Sequence, residues 1–351
     1  MRNPVFDVAK FLLMLLVIQG HLGGIVAGSD FGQPYYSNFK DGCAMPLFFV
    51  MSGFFAAKTI ESRDVVRWIS KISGLLWPLV SFGAVFGVLM FCIGGAPLWK
   101  MLLYPINYLL FGGWFLQTLA VVYFIVALIW KVTDSFKWRM FLLLLAYAAL
   151  MCLPRTGAAF LYADEITHMF PYFVFGLVVL RKFRLWESSV AALICGAIFL
   201  GVAFVEGNIS TNGMSFYQAK ADWRELLSGA RGAICFFGRT IVGITGSVFA
   251  LWVVGMLIKA FPSIGRLGCC GTTTLGVYVM HGWILAKIRG IPPPSQLPAW
   301  SLWPLTIFVF FICHYLTVVL RNSRANALFF GNEKWLAERL RCVKVFAKIS
   351  N

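Results

Sequence analysis

Asp7, Lys10 and His21 are polar or ionisable side chains within one apolar stretch at the start of the chain. Burying Asp or Lys in hydrocarbon costs about 2.5 to 3.5 kcal/mol on insertion scales, so the three together indicate a function. The eleven residues from Lys10 to His21 make three helical turns plus about 20°, and Asp7 falls about 40° to the other side of His21. One helix face therefore carries a cation and, about 16 Å along the axis, an imidazole suited to general-base chemistry near pH 7.

A purely structural role for these residues is the alternative to a catalytic one. His21 would then be satisfied by a neighbouring helix, and Lys10 would extend its ammonium group to the membrane interface. Of the other histidines, His168 and His314 are expected to be structural.

A second polar face is predicted near the end of the chain, where Thr274, Tyr278 and His281 are spaced i, i+4 and i+7. His281 with Tyr278 suits an orienting or acceptor-binding pair, and a purely structural hydrogen bond is the alternative. Trp114 is expected at an outer interface, where an aromatic belt is the default and stacking against a sugar is the alternative.

Basic residues recur every fourth position at Arg63, Arg67 and Lys71. On a helix this spacing makes a cationic stripe, which can hold either the phosphates of a ligand or anionic lipid headgroups.

The composition identifies the elements that must position these groups. Of the 351 residues 60% are hydrophobic and 13% charged, with a mean hydropathy of +0.80. These values exclude a soluble globular domain and a disordered chain. The net charge of +16 is explained by basic cytoplasmic loops, so no nucleic-acid partner is expected. Nine Cys without a CxxC pair predict neither a disulfide framework nor a metal site.

The hydropathy pattern predicts an all-α polytopic membrane protein with about ten spans. The first run resembles a signal peptide, but its polar residues and the nine following runs favour an uncleaved span. The ten apolar runs are about 6–27, 41–57, 72–94, 114–130, 138–153, 168–180, 188–205, 235–258, 271–288 and 302–320.

The distribution of basic residues predicts the orientation. Of the 30 Lys and Arg, 20 fall on the side of the two termini and nine on the other, which places both termini in the cytoplasm. Residues 1–321 are predicted to form the membrane domain, and 322–351 a basic, partly helical cytoplasmic tail on the membrane surface. The longest outer loop is 206–231; its Tyr217, Asp222, Trp223 and Arg224 suit a sugar, and an inert connection is the alternative.

Four motifs, in order along residues 5 to about 320, resemble the membrane-bound acyltransferase family 3. Lys10 precedes His21 by the family's spacing, within Gln19-Gly20-His21. Residues 48–55 (Phe-Phe-Val-Met-Ser-Gly-Phe-Phe), 113–116 (Gly-Trp-Phe-Leu) and 275–281 (Leu-Gly-Val-Tyr-Val-Met-His) are similar to the other three motifs.

The resemblance implies transfer of an acyl group, usually acetyl, from cytoplasmic acyl-CoA to a glycan or lipid-linked sugar. His21 matches the family's catalytic histidine, and Lys10 matches its basic partner. The family's Arg-x-x-Arg-Leu motif is half absent: aligned on Pro78, Lys71 stands at the first Arg and Gly74 at the second. Arg67, one turn earlier, is the candidate that supplies the missing charge.

The predicted protein is therefore a multi-pass enzyme of the cytoplasmic (inner) membrane that modifies cell-surface polysaccharide by O-acetylation. Acetyl-CoA is the predicted co-substrate, and no permanently bound cofactor is expected. Membrane lipids are predicted partners. Lys10, Arg67 and Lys71 are the predicted donor contacts, with Tyr278, His281 and Trp114 as acceptor or orienting residues. A transporter or flippase is the alternative, although no inverted repeats are evident; a lipid-dependent scaffold would leave Lys10 and His21 unexplained.

Overall fold

The fold is all helical in a computed structural model that describes residues 3–26, 34–153, 162–209, 230–289 and 301–342. Within these ranges the regular structure consists of helices, so the predicted all-α class is confirmed. A π-helical turn (Gly176–Leu180) and a last helical turn (Arg181–Phe183) follow the helix Ala163–Phe175 without a break. The helices are α1 (Pro4–Val26), α2 (Pro34–Glu61), α3 (Val65–Cys92), α4 (Leu98–Phe111), α5 (Trp114–Val132), α6 (Phe136–Met151), α7 (Ala163–Phe175), α8 (Ser189–Ile209), α9 (Ala230–Ala260), α10 (Gly268–Gly271), α11 (Thr274–Arg289), α12 (Leu302–Asn322), α13 (Asn326–Phe330) and α14 (Glu333–Cys342).

Among the described residues, 7 helices are long and apolar enough to cross a membrane: α1, α2, α3, α5, α7 with its extension, α9 and α12. The protein is thus a polytopic membrane protein, as predicted. The other three predicted runs also fall on helices: α8 and α11, whose apolar parts are shorter, and α6, which has 16 residues. A helix of that length measures about 24 Å, against about 30 Å of hydrocarbon.

Helix α4 is a departure from the sequence prediction, which placed no element between the third and fourth runs. Its 14 residues measure about 21 Å, too short for a span. It packs against α3 because two glycines of α3 make room for its backbone. A Cβ on Gly83 would lie 2.9 Å from Pro105 Cα, and one on Gly87 would lie 2.7 Å from the Met101 carbonyl oxygen.

The chain forms two compact units, the first from Met1–Met51 and Val178–Val319 and the second from Ser52–Leu177 and Leu320–Asn351. In the first unit α1 packs against α9, α10 and α11. Gly271 of α10 permits the closest of these approaches, since a Cβ there would lie 1.8 Å from the Asp7 carbonyl oxygen. A Cβ on Gly276 of α11 would lie 2.4 Å from Thr317 Oγ1 of α12, so small residues set the spacing of these helices.

In the second unit α3 packs against α4, α5 and the two tail helices, and α5 packs against α7. The tail is partly helical as predicted, through α13 and α14, while 343–351 lie outside the described residues. Most of the predicted outer loop 206–231, including Tyr217, Asp222, Trp223 and Arg224, also lies outside them.

We expect Gly53→Ala to lower the melting temperature of the detergent-solubilised protein. A Cβ on Gly53 of α2 would lie 2.0 Å from the Phe173 carbonyl oxygen of α7, so the helices must separate at a cost of about 1 to 3 kcal/mol. Gly201→Ala in α8 is the matched control, because its Cβ would meet nothing within 4 Å and should stabilise the helix by about 0.5 to 1 kcal/mol. Equal shifts for the two variants would contradict this account of α2 and α7.

Candidate functional site

Two histidine rings face each other in the first unit. His21 of α1 and His281 of α11 have ring centroids 5.4 Å apart, with the ring planes inclined by 39°. The rings come together because α1 contacts both α10 and α11.

The His281 ring is held by the backbone of its own helix. Its Nδ1 lies 2.6 Å from the Tyr278 carbonyl oxygen and 3.2 Å from that of Val277. A carbonyl oxygen only accepts hydrogen bonds, so Nδ1 carries the proton and donates it. In the neutral ring Nε2 is then the nitrogen with the lone pair, and the orientation of the ring is fixed. The Tyr278 ring lies beside it, with centroids 5.6 Å apart.

The two histidines differ in accessibility. His281 is 4% exposed, whereas His21 is exposed. An open imidazole beside a fixed one can receive a substrate, remove a proton from it and be held in place while doing so.

The cation at the other end of α1 is paired with a carboxylate. Lys10 Nζ lies 3.2 Å from Asp7 Oδ1, and the side chains are 24% and 7% exposed. Asp7 is buried against α10, where a Cβ on Gly268 would lie 3.3 Å from Asp7 Cβ. The sequence placed both residues on one face, but it did not show that they form an ion pair.

His314 has a partner that fits the structural role predicted for it. Its Nδ1 lies 2.7 Å from Thr273 Oγ1, and its ring stacks on Phe310 with centroids 5.9 Å apart. This hydrogen bond ties α12 to the segment between α10 and α11. The sequence missed Thr273 because its significance depends on a residue 41 positions away. His168 lies on α7 and is half-buried.

The basic stripe exists only in part, in the second unit. Arg63 precedes α3 with a φ of 54° and binds the Thr133 carbonyl oxygen at 2.7 Å, so it does not continue the helical face of Arg67 and Lys71. The prediction of a three-residue stripe is wrong at Arg63, because Asp64 caps α3 and the helix begins only after it. Asp64 Oδ1 accepts from the Arg67 backbone nitrogen at 3.2 Å.

Arg67 and Lys71 both have carboxylate partners. Arg67 Nε lies 3.1 Å from Asp64 Oδ2, and Lys71 Nζ lies 2.8 Å from Glu333 Oε2 of the tail helix α14. All four side chains except that of Asp64 are more than 40% exposed. Exposed pairs of this kind contribute about 0 to 1 kcal/mol, so a polyanionic ligand can replace the carboxylates.

Trp114 is the first residue of α5 in the second unit. It is half-buried and packs edge-on against Phe115, with ring centroids 6.2 Å apart. Its predicted contact with a sugar stays a prediction. Within the described residues, no group of three or more His, Cys, Asp or Glu side chains could hold a metal ion.

Comparison with known proteins adds one finding. A family model described as an acyltransferase domain matches residues 3–321, a segment that includes both histidines of the pair and all the basic residues above. The curated proteins and the solved structures returned no significant match.

We expect diethyl pyrocarbonate to modify His21 much faster than His281 in the solubilised protein. The reagent attacks an accessible neutral imidazole, and His21 is exposed whereas His281 is 4% exposed. Peptide mass spectrometry over a time course measures both rates, and His21→Asn should leave the rate at His281 low. Similar rates at both positions would contradict the described geometry.

Proposed function

The chain belongs to the membrane-bound acyltransferase 3 family, and from this premise we propose that it moves an acetyl group from acetyl-CoA to a hydroxyl of a cell-surface glycan or lipid-linked sugar. The observation that carries the proposal is the open His21 ring, 5.4 Å from the fixed ring of His281. Transfer to a hydroxyl needs a base at the reacting oxygen, and His21 is a titratable group whose side chain is exposed.

In the proposed reaction His21 takes the proton of the acceptor hydroxyl as its oxygen attacks the thioester carbonyl. The carbon–oxygen bond of the new ester forms, the carbon–sulfur bond of the thioester breaks, and the leaving thiolate of CoA takes up the proton. His281 keeps Nδ1–H on the backbone carbonyls of Val277 and Tyr278. Its Nε2 is then able to orient His21 or to accept a hydrogen bond from the acceptor hydroxyl.

As the sequence predicted, we assign contacts with the donor's phosphates to Lys10, Arg67 and Lys71. Each contact is argued separately. In the first unit, Lys10 and His21 are eleven residues apart on α1, about 16 Å along the axis. That distance is comparable to an extended pantetheine arm, so a thioester whose phosphates contact Lys10 can reach the imidazole. Lys10 must then exchange part of its contact with Asp7 for the donor.

We propose that the chain crosses the cytoplasmic (inner) membrane ten times, with both termini in the cytoplasm. The support is the excess of Lys and Arg on the side of the termini. His21 stands within two turns of the outer end of α1 in this orientation. The acetyl group thus enters from the cytoplasm and leaves on an acceptor presented outside, with Tyr278 and Trp114 as candidate contacts of the acceptor.

We expect His21→Ala to lower the rate of acetyl transfer by about 10²- to 10⁴-fold, because removal of a general base has this effect. Transfer from radiolabelled acetyl-CoA to a glycan extract measures it. His168→Gln, which changes a histidine assigned a structural role, should keep most of the activity. Retention of more than half the activity in His21→Ala would exclude His21 as the base.

A double-mutant cycle places His281 relative to this step. If His281 orients His21, the loss in the variant lacking both rings should be well below the product of the single losses. Independent losses would give His281 a separate role, such as holding the acceptor.

Sidedness is testable in oriented vesicles. Acetyl-CoA supplied on the cytoplasmic face should acetylate an acceptor held on the opposite face, because the proposed donor contacts are cytoplasmic and His21 lies near the outer end of α1. The label is counted in acceptor recovered from each compartment. Product that forms only when both substrates share the cytoplasmic side would overturn the transmembrane route, while leaving His21 as the base.

A further inference from the structure

The tail closes a cavity over one face of α3 in the second unit. Its volume is about 410 Å³. One wall is α3, through Ser70, Ser73, Gly74 and Trp77, and the other is the segment from Ala327 to Leu336. We call this space the tail pocket. It lies beside Lys71, whose neighbour Ser70 lines it.

Hydrogen bonds hold the tail on α3, so the tail forms a defined wall of the tail pocket. Trp77 Nε1 donates to the Leu328 carbonyl oxygen at 2.7 Å, and Ser81 Oγ donates to that of Phe329 at 2.8 Å. The chain then turns at Gly331, which has a φ of 72° and whose added Cβ would lie 3.4 Å from the Trp77 ring. The turn directs α14 back along α3.

Glu333 is the acidic side chain that lines the tail pocket. Its carboxylate binds Lys71 at 2.8 Å and takes the space beside Gly74, where an added Cβ would lie 2.5 Å from Oε1. The tail otherwise carries six Lys and Arg and one further acid, Glu338. The lining carboxylate is thus held by a cation beside the pocket, in a pair whose side chains are 50% and 42% exposed.

The exposed side chains around the tail pocket indicate the class of ligand that fits it. The indoles of Trp77 and Trp335 are 43% and 54% exposed, which leaves aromatic surface for a planar ring to stack on. Lys71 supplies a charge for an anion. A nucleotide combines a planar base, hydrogen-bonding edges and phosphates, and its base fits within about 410 Å³.

We propose that the tail pocket binds the nucleotide end of the acyl donor, whose phosphates replace the Glu333 carboxylate on Lys71. This inference rests on the proposed function, in which acetyl-CoA is the donor. The tail is then part of the donor site, and Glu333 is an internal anion that the donor displaces when it binds.

The experiment measures the affinity of CoA for the full-length protein in phosphatidylcholine nanodiscs at low ionic strength. Glu333→Gln should bind CoA about two- to fivefold more tightly, since an exposed ion pair of this strength no longer competes. Glu338→Gln, which makes the same charge change on the same helix, should leave the affinity unchanged. Lys71→Ala should weaken binding, and Glu333→Gln should have no further effect in that background.

A fragment of CoA tests the nucleotide end by itself. Adenosine 3′,5′-bisphosphate, which lacks the pantetheine arm, should compete with CoA in the wild-type protein and less well in Lys71→Ala.

The outcomes separate this inference from the function on which it rests. If Lys71→Ala weakens CoA binding but Glu333→Gln behaves like Glu338→Gln, the tail pocket is not the nucleotide site and the acyltransferase proposal stands. Absence of both CoA binding and acetyl transfer in the wild-type protein would overturn both. If the variants alter only the retention of phosphatidylglycerol in mixed nanodiscs, the pocket holds a lipid headgroup and the inference is wrong.

Discussion

The close approach of α1 and α10 is the constraint on which the rest of the first unit depends. Gly271 allows it, because any side chain there would place a Cβ 1.8 Å from the Asp7 carbonyl oxygen. Helix α11 begins only a few residues later, so this contact also sets the position of α11 against α1. The 5.4 Å separation of the His21 and His281 rings follows from a glycine that lies ten residues before His281 and packs against Asp7, fourteen residues before His21.

Every basic residue assigned to the donor lies next to a carboxylate, but the three pairs are not equivalent. Asp7, the partner of Lys10, has a side chain only 7% exposed, so losing this pair would leave a buried charge, which is expensive. The pairs of Arg67 and Lys71 are more exposed and cost little to open. The exposed cations are thus the ones that can exchange partners easily, while Lys10 is held in place by its own helix.

The sequence predicted well what depends on local periodicity. Helical geometry alone puts Lys10 and His21 on one face, and the apolar runs coincide with helices. It failed where a residue's neighbours are distant in the chain: Glu333 lies 262 positions from Lys71, and no local pattern links them. Helix α4 was missed because Lys100, Pro105 and Asn107 interrupt its apolar run. Gly83 and Gly87, one turn apart on α3, could nevertheless have indicated a closely packed neighbour. Arg63 was misplaced because the capping role of Asp64 was overlooked.

The tethered Nδ1–H of His281 restricts how much charge the histidine pair can hold. This ring can take up a second proton only on Nε2, and the imidazolium so formed would lie 5.4 Å from the ring of His21. Two positive charges at that distance repel each other by about 3 kcal/mol at an effective dielectric constant of about 20. This repulsion disfavours a state in which both rings are charged, so in the proposed reaction the pair must release its proton before His21 takes one from the next acceptor hydroxyl.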